Sequence, residues 1–174
     1  MTQTFDRVKN SLIALLEDQD NKVIALTGKW GTGKTYLWKG VAAELFEKGE
    51  TNKQPIYVSL FGVKSITDLK LRILQNAYSK NAKAVKNVLS AGGGIIKDFI
   101  KWYAGVSIDS AALGAALIWF QALAKDSLIV IDDIERKHKS LDIDEFLGML
   151  DEYSETHNTR FLILLNTDKL LEKK

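Results

Sequence analysis

The sequence predicts an α/β fold, a mostly parallel sheet covered by helices on both faces, and two patterns carry that expectation. Short apolar runs rich in branched residues alternate with longer segments of helical periodicity. The runs also end abruptly at glycine, asparagine or paired carboxylates, as strands do when their C-terminal ends feed loops. A chain of 174 residues is long enough for one such three-layer core, with little left for a second domain, so residues 1–174 are expected to form one domain. Hydrophobic residues make up 46% and charged residues 26%, which excludes a disordered or supercharged chain. The net charge of +2 does not indicate a nucleic-acid partner, because such partners usually leave a dense basic patch. With no Cys there are no disulfides and no Cys-ligated zinc, and a reducing, cytoplasmic setting is the expectation. The first twenty residues carry acidic groups on both sides of their apolar positions and do not read as a signal peptide.

Along the chain, Phe5, Val8, Leu12, Leu15 and Leu16 recur at helical spacing and predict a helix over Thr4 to Glu17. Lys22 to Thr27 is the first strand, and it stops at Gly28. Leu37, Trp38, Val41, Ala42, Leu45 and Phe46 predict a helix closing near Gly49. Pro55 opens a second strand, IYVSLFG, and Ser65 caps a helix carrying Ile66, Leu69, Ile73, Leu74 and Ala77. Residues 80–125 read as a helical insertion, rich in small and apolar residues and broken at Gly92, Gly93 and Gly94. Ser127 to Asp132 is the third strand. Asp142 and Glu145 start a helix with Ile143, Phe146, Leu147, Leu150 and Tyr153 on one stripe. Arg160 to Leu165 is the fourth strand.

The first strand and the helix after it flank Gly28-Lys29-Trp30-Gly31-Thr32-Gly33-Lys34-Thr35, which satisfies G-x-x-x-x-G-K-[ST] at every fixed position. The glycines let the backbone curl so that N–H groups point inward at phosphate oxygens, and the helix that follows adds its positive end. Lys34 reaches the β and γ phosphates as a point charge, and the Thr35 hydroxyl is a ligand for Mg²⁺. Trp30 either packs against a nucleotide or a neighbouring subunit, or braces the loop against the domain.

The third strand, LIVID, delivers Asp132 and Asp133 to the crevice at the strand ends. Asp132 is assigned to the metal. Asp133 follows where hydrolysing P-loop enzymes keep a carboxylate that orients or deprotonates water, with Glu135 as the fallback. Arg136 either contacts phosphate, in its own site or a neighbour's, or forms a surface ion pair. The basic run from Arg136 to Lys139 reads as a solvated loop. Asn166 ends the fourth strand, where it either holds the attacking water or senses the γ-phosphate, or merely terminates the strand with Thr167 and Asp168.

The string G-x-W-G-x-G-K-T at Gly28 to Thr35, together with I-D-D-I-E-R at Ile131 to Arg136, resembles the KAP family of P-loop NTPases. The resemblance implies a three-layer P-loop NTPase core with a helical insertion between its Walker A and Walker B units. It further implies ATPase chemistry with ATP and Mg²⁺, and the metal role for Asp132. In many members of the family the insertion carries membrane spans, and several bacterial relatives are implicated in excluding phage. Here the longest apolar run, Ala111 to Ala124, would make a helix of roughly 21 Å, against a hydrocarbon core of about 30 Å, so it is not expected to span. Residues 95–124 are instead expected to form a buried or partner-facing hairpin, with membrane-surface contact as the alternative. The superclass usually carries a further strand beside the first, followed by a helical lid, and Lys174 comes too early for either. The expectation is therefore the N-terminal part of a larger protein, or a sheet completed by a partner.

These readings converge on an ATPase whose nucleotide cycle switches an attached or associated effector, the partner being another protein or a second copy of the chain. The alternatives are a nucleotide-dependent interaction module with little or no hydrolysis, and a small-molecule kinase. No N-K-x-D guanine-reading string occurs, since LNTDKL has Thr167 where the Lys would stand, and this absence together with the family likeness favours ATP.

Overall fold

The computed structural model describes residues 2–47, 54–80 and 110–168. The expected glycine break at Gly92 to Gly94, the first half of the expected hairpin and the helix end near Gly49 lie outside these residues. The elements are α1 (Thr2–Glu17), β1 (Val23–Gly28), α2 (Lys34–Ala42), continued by one π-helical stretch (Ala43–Glu47), β2 (Ile56–Ser59) and α3 (Ile66–Lys80). Then follow α4 (Ser110–Ala124), β3 (Leu128–Asp132), a 3-10 turn (Ile134–Arg136), α5 (Ile143–Thr156) and β4 (Arg160–Asn166).

The four strands form one parallel sheet in the order β1-β4-β3-β2. β1 and β2 are joined by α2 on one face, whereas β2 to β3 and β3 to β4 cross on the other. Because strand side chains alternate between faces, each strand feeds two separate cores. On the α1 and α2 face, Val130, Leu162 and Leu164 pack with Ile24, Leu12, Leu16, Leu37, Trp38 and Val41. On the opposite face, Ile129, Ile131, Phe161 and Ile163 pack with residues of α3, α4 and α5, among them Leu69, Ile73, Phe120, Phe146 and Tyr153. Burying each such side chain is worth about 1.5–3 kcal/mol, which is what holds helices of ordinary propensity onto the sheet.

The described part of the segment read as an insertion is built into this second core. Ala116, Phe120 and Ala124 of α4 are buried, and the Phe120 ring meets Tyr153 of α5 edge-on at 5.1 Å. Lys70 of α3 lies over the same two rings. No helix among the described residues is long and apolar enough to cross a membrane.

β2 is shorter than the second strand read from IYVSLFG, because Gly62 takes a left-handed conformation (φ 70°) and turns the chain out of the sheet after Leu60. Helix starts follow the capping residues. Ser65 accepts from the Asp68 amide and Asp68 accepts from the Lys64 amide, a reciprocal box, while Asp142 accepts from the Asp144 amide. Arg160 closes the far end of α1. Its guanidinium donates to the carbonyls of Asp18 and Asn21, and burial pulls its pKa below the usual value against the opposing charge of Asp18.

Candidate nucleotide site

The site lies at the C-terminal ends of β1, β3 and β4, on the α2 face. Alternation decides which side chains reach it. Asp132 shares parity with Val130, and Asn166 shares parity with Leu164 and Leu162, so all of these point toward α2. The crevice beyond the C-terminal ends of the strands is where open parallel sheets take ligands, and β1 and β4 are neighbours there.

After β1 the chain curls through Gly31 and Gly33, with φ of 78° and 83°, which only glycine adopts without strain. Gly33 then caps α2, so the amides of Lys34 and Thr35 belong to the unpaired first turn of a helix and face the concavity. Lys34 folds back over the loop, donating to the carbonyls of Gly28 and Lys29, both at 2.9 Å. Thr32 Oγ1 also donates to the Lys29 carbonyl, at 2.8 Å.

Across the crevice, Thr35 Oγ1 donates to Asp132 Oδ2 at 2.8 Å, joining positions 97 residues apart in sequence. The same carboxylate oxygen accepts the Tyr57 hydroxyl at 2.7 Å, and Asp132 Oδ1 accepts the Asp133 amide at 2.8 Å. Burial, the hydrogen bond to Asp132 and the charges of Asp132 and Asp133 push the Tyr57 phenol well above its usual pKa, so it stays a donor. Asp133 adopts a left-handed conformation (φ 58°) that opens the 3-10 turn. Its Oδ2 accepts Ser59 Oγ at 2.6 Å, and its Oδ1 lies 3.6 Å from Arg136 Nη1.

Of the residues singled out from the sequence, Trp30, Gly31, Gly33, Lys34, Thr35, Asp132, Asp133, Glu135 and Asn166 line one cleft of about 360 Å³. Gly28 and Thr32 line an adjoining groove, shared with Gly31 and Lys34, whose other walls are Thr4, Phe5, Val8, Leu26, Thr27 and Leu37. Lys29 takes part through its carbonyl. Arg136 lines neither space, because its guanidinium stacks on Phe61 at 4.2 Å and faces Asp133. Trp30 is 77% exposed, so its ring does not brace the loop against the described part of the domain. Its amide donates to Asp168 Oδ2 at 3.1 Å, which ties the loop to the chain leaving β4.

Tyr57, Ser59 and Tyr36 were not singled out from the sequence. The signal was present in IYVS, where two hydroxyls two residues apart must share a face, but nothing in the sequence revealed that β2 would pair with β3. The residues present fit Mg²⁺, since the Thr35 hydroxyl and the Asp132 carboxylate bring hard oxygen atoms together at the edge of the glycine loop.

The parallel sheet, the glycine loop opening α2 and the carboxylate against it define a nucleotide-binding P-loop NTPase domain. Residues 5–87 match the family model described as the KAP family P-loop domain. That match spans α1 through α3 and includes the whole phosphate loop, so the family likeness read from the first motif is shown there. Ile131 to Arg136 lies beyond it. Comparison with curated proteins gave no match.

Proposed function

We propose that this domain binds ATP with Mg²⁺ and hydrolyses its terminal phosphoanhydride, the cycle switching an attached or associated effector. The observation that carries the reading is the 2.8 Å contact between Thr35 and Asp132, which brings a cation-binding pair to the mouth of the phosphate loop. The adjoining groove supports a nucleotide over inorganic polyphosphate. Its apolar walls at Phe5, Val8, Leu26 and Leu37 suit a base and ribose, and it shares Gly31 and Lys34 with the cleft. ATP is preferred over GTP on the family likeness and on the absence of a guanine-reading string.

When bound, Mg²⁺ would be held by Thr35 and Asp132 and would neutralise charge on the phosphates. Lys34 leaves the loop carbonyls to meet the phosphate oxygens. Asp133 and Asn166, at the ends of adjacent strands in the same cleft, hold water for attack on the γ phosphorus. The new P–O bond forms as the bond to the departing ADP oxygen breaks, and the proton of the water passes to Asp133 or to phosphate. The effector, and a setting in phage defence, are supported by the KAP likeness.

A second reading, slow hydrolysis in a nucleotide-dependent interaction module, is favoured by one feature. Among the described residues lining the cleft, Lys34 is the one cation, since Arg136 is turned to Phe61 and Asp133. An arginine brought by a partner would then set the rate.

The test is calorimetric titration with Mg·ATP and Mg·GTP, alongside Lys34→Ala. Saturable ATP binding that weakens at least about tenfold in Lys34→Ala is expected, the size of one lost charged contact. Folded protein that binds neither nucleotide would overturn the proposal.

A further inference from the structure

β2 contributes no residue to either sequence motif, yet both of its outward-facing hydroxyls end on the paired carboxylates of β3. The register places Ser59 opposite Asp132 and Tyr57 opposite Val130, so the two side chains stand on the α2 face beside the acidic strand end. Ser59 reaches forward to Asp133 Oδ2 at 2.6 Å, and the longer Tyr57 reaches two residues along β3 to Asp132 Oδ2 at 2.7 Å. Each hydroxyl hydrogen is committed. Ser59 Oγ accepts the Phe61 amide at 3.1 Å, which leaves its hydrogen for Asp133, while the tyrosine has one hydrogen and gives it to Asp132.

With Thr35 and Tyr57 on Oδ2 and the Asp133 amide on Oδ1, Asp132 has three of its roughly four acceptor positions filled, and its carboxylate cannot rotate freely. The loops beyond β2 and β3 are also tied together. The Leu60 amide donates to the Asp132 carbonyl at 2.8 Å, Gly62 to Arg136 at 3.2 Å, and His138 to Val63 at 3.0 Å. The Tyr57 ring packs against the α2-side core, so packing accounts for the ring and not for the hydroxyl.

We infer that Tyr57 and Ser59 are positioning residues, Tyr57 holding Asp132 in the orientation that takes the cation and Ser59 holding Asp133 in the orientation that governs water. The inference rests on the ATPase reading. A hydroxyl fixed on a carboxylate before the cation arrives removes a rotation that binding would otherwise have to freeze, which is how a supporting shell sharpens a site. The two hydroxyls therefore act on different steps.

The experiment measures ATP affinity of the full chain by calorimetry in excess Mg²⁺ and in EDTA, and compares the ratio of the two between variants. In Tyr57→Phe the ratio should fall about tenfold with the EDTA affinity unchanged, the loss of one hydrogen bond to a charged group. Ser59→Ala should leave the ratio unchanged and lower kcat at constant KM. On an Asp132→Asn background Tyr57→Phe should change the ratio no further, because the charge it orients is gone. A Tyr57→Phe ratio equal to that of the parent would overturn the inference while leaving the ATPase reading intact. So would an equal drop in Ser59→Ala, or an additive drop on the Asp132→Asn background. A parent chain that binds no ATP in either buffer removes the ATPase reading and this inference with it.

Discussion

Asp133 sits at the point where three demands meet. It must end β3, open the 3-10 turn and present a carboxylate to the cleft, and it does so in a left-handed conformation that costs a non-glycine residue about 1–2 kcal/mol. Such strain persists where surrounding contacts over-determine it, and here Ser59, Arg136 and the bond from its own amide to Asp132 supply them. Asp133→Asn keeps the shape and tolerates the same backbone, but it cannot take a proton from water. Turnover should fall by at least about a hundredfold, the scale of general-base catalysis, with Mg·ATP affinity within a few-fold of the parent. Steady-state hydrolysis paired with calorimetry separates the two effects, and unchanged turnover would remove Asp133 from the mechanism. Sequence alone left Asp133 and Glu135 as alternatives for this step. Both line the cleft, so the proximity of Glu135 does not decide between them, and the kinetics of the two variants will.

At the scale of elements, what could be read from the sequence was what periodicity and capping control locally. The two sequence-predicted caps, Ser65 and Asp142, each accept an amide hydrogen bond at the start of a helix, and the strands were placed to within a few residues. The loop was legible because its glycines have a backbone reason to be there. What was not legible is pairing. Tyr57 and Ser59 look like ordinary half-buried strand residues until β2 is set beside β3, and Arg136 reads equally as a phosphate ligand or an ion-pair partner until Phe61 is brought under its guanidinium and Asp133 beside it. Both depend on chain segments about 75 residues apart in sequence, and no local pattern encodes that meeting. The short range of β2 has the same origin, since Gly62 fits a strand motif but is needed as a turn. Capping makes a clean prediction at this scale. Asp142→Ala removes the acceptor for the Asp144 amide at an exposed helix start, and should cost about 1 kcal/mol of stability in urea unfolding without altering nucleotide affinity.

For the molecule as a whole, the decisive fact is that the site belongs to no single layer. Lys34 and Thr35 come from α2, Asp132 and Asp133 from the end of β3, Asn166 from β4 and Tyr57 from β2, and the two cores lie on opposite faces of the sheet that carries them. A ligand bridging these elements must stabilise the domain as a cooperative unit, because freeing any one of them dismantles the cleft. Linkage sets the size of the effect. At a ligand concentration about a hundred times Kd the folded state gains about 2.7 kcal/mol. A domain of 150–250 residues gains about 2–4 °C in Tm per kcal/mol, so Mg·ATP should raise the melting temperature by about 5–11 °C. In Lys34→Ala at the same ATP concentration at least about half of that rise should vanish, since a tenfold weaker Kd leaves about 1.4 kcal/mol, while the melting temperature without nucleotide stays close to the parent, because Lys34 bonds only to loop carbonyls on the surface of the cleft. A rise confined to one of two resolved transitions would mean that the layers unfold separately, and the site would then be the property of one lobe instead of the sheet.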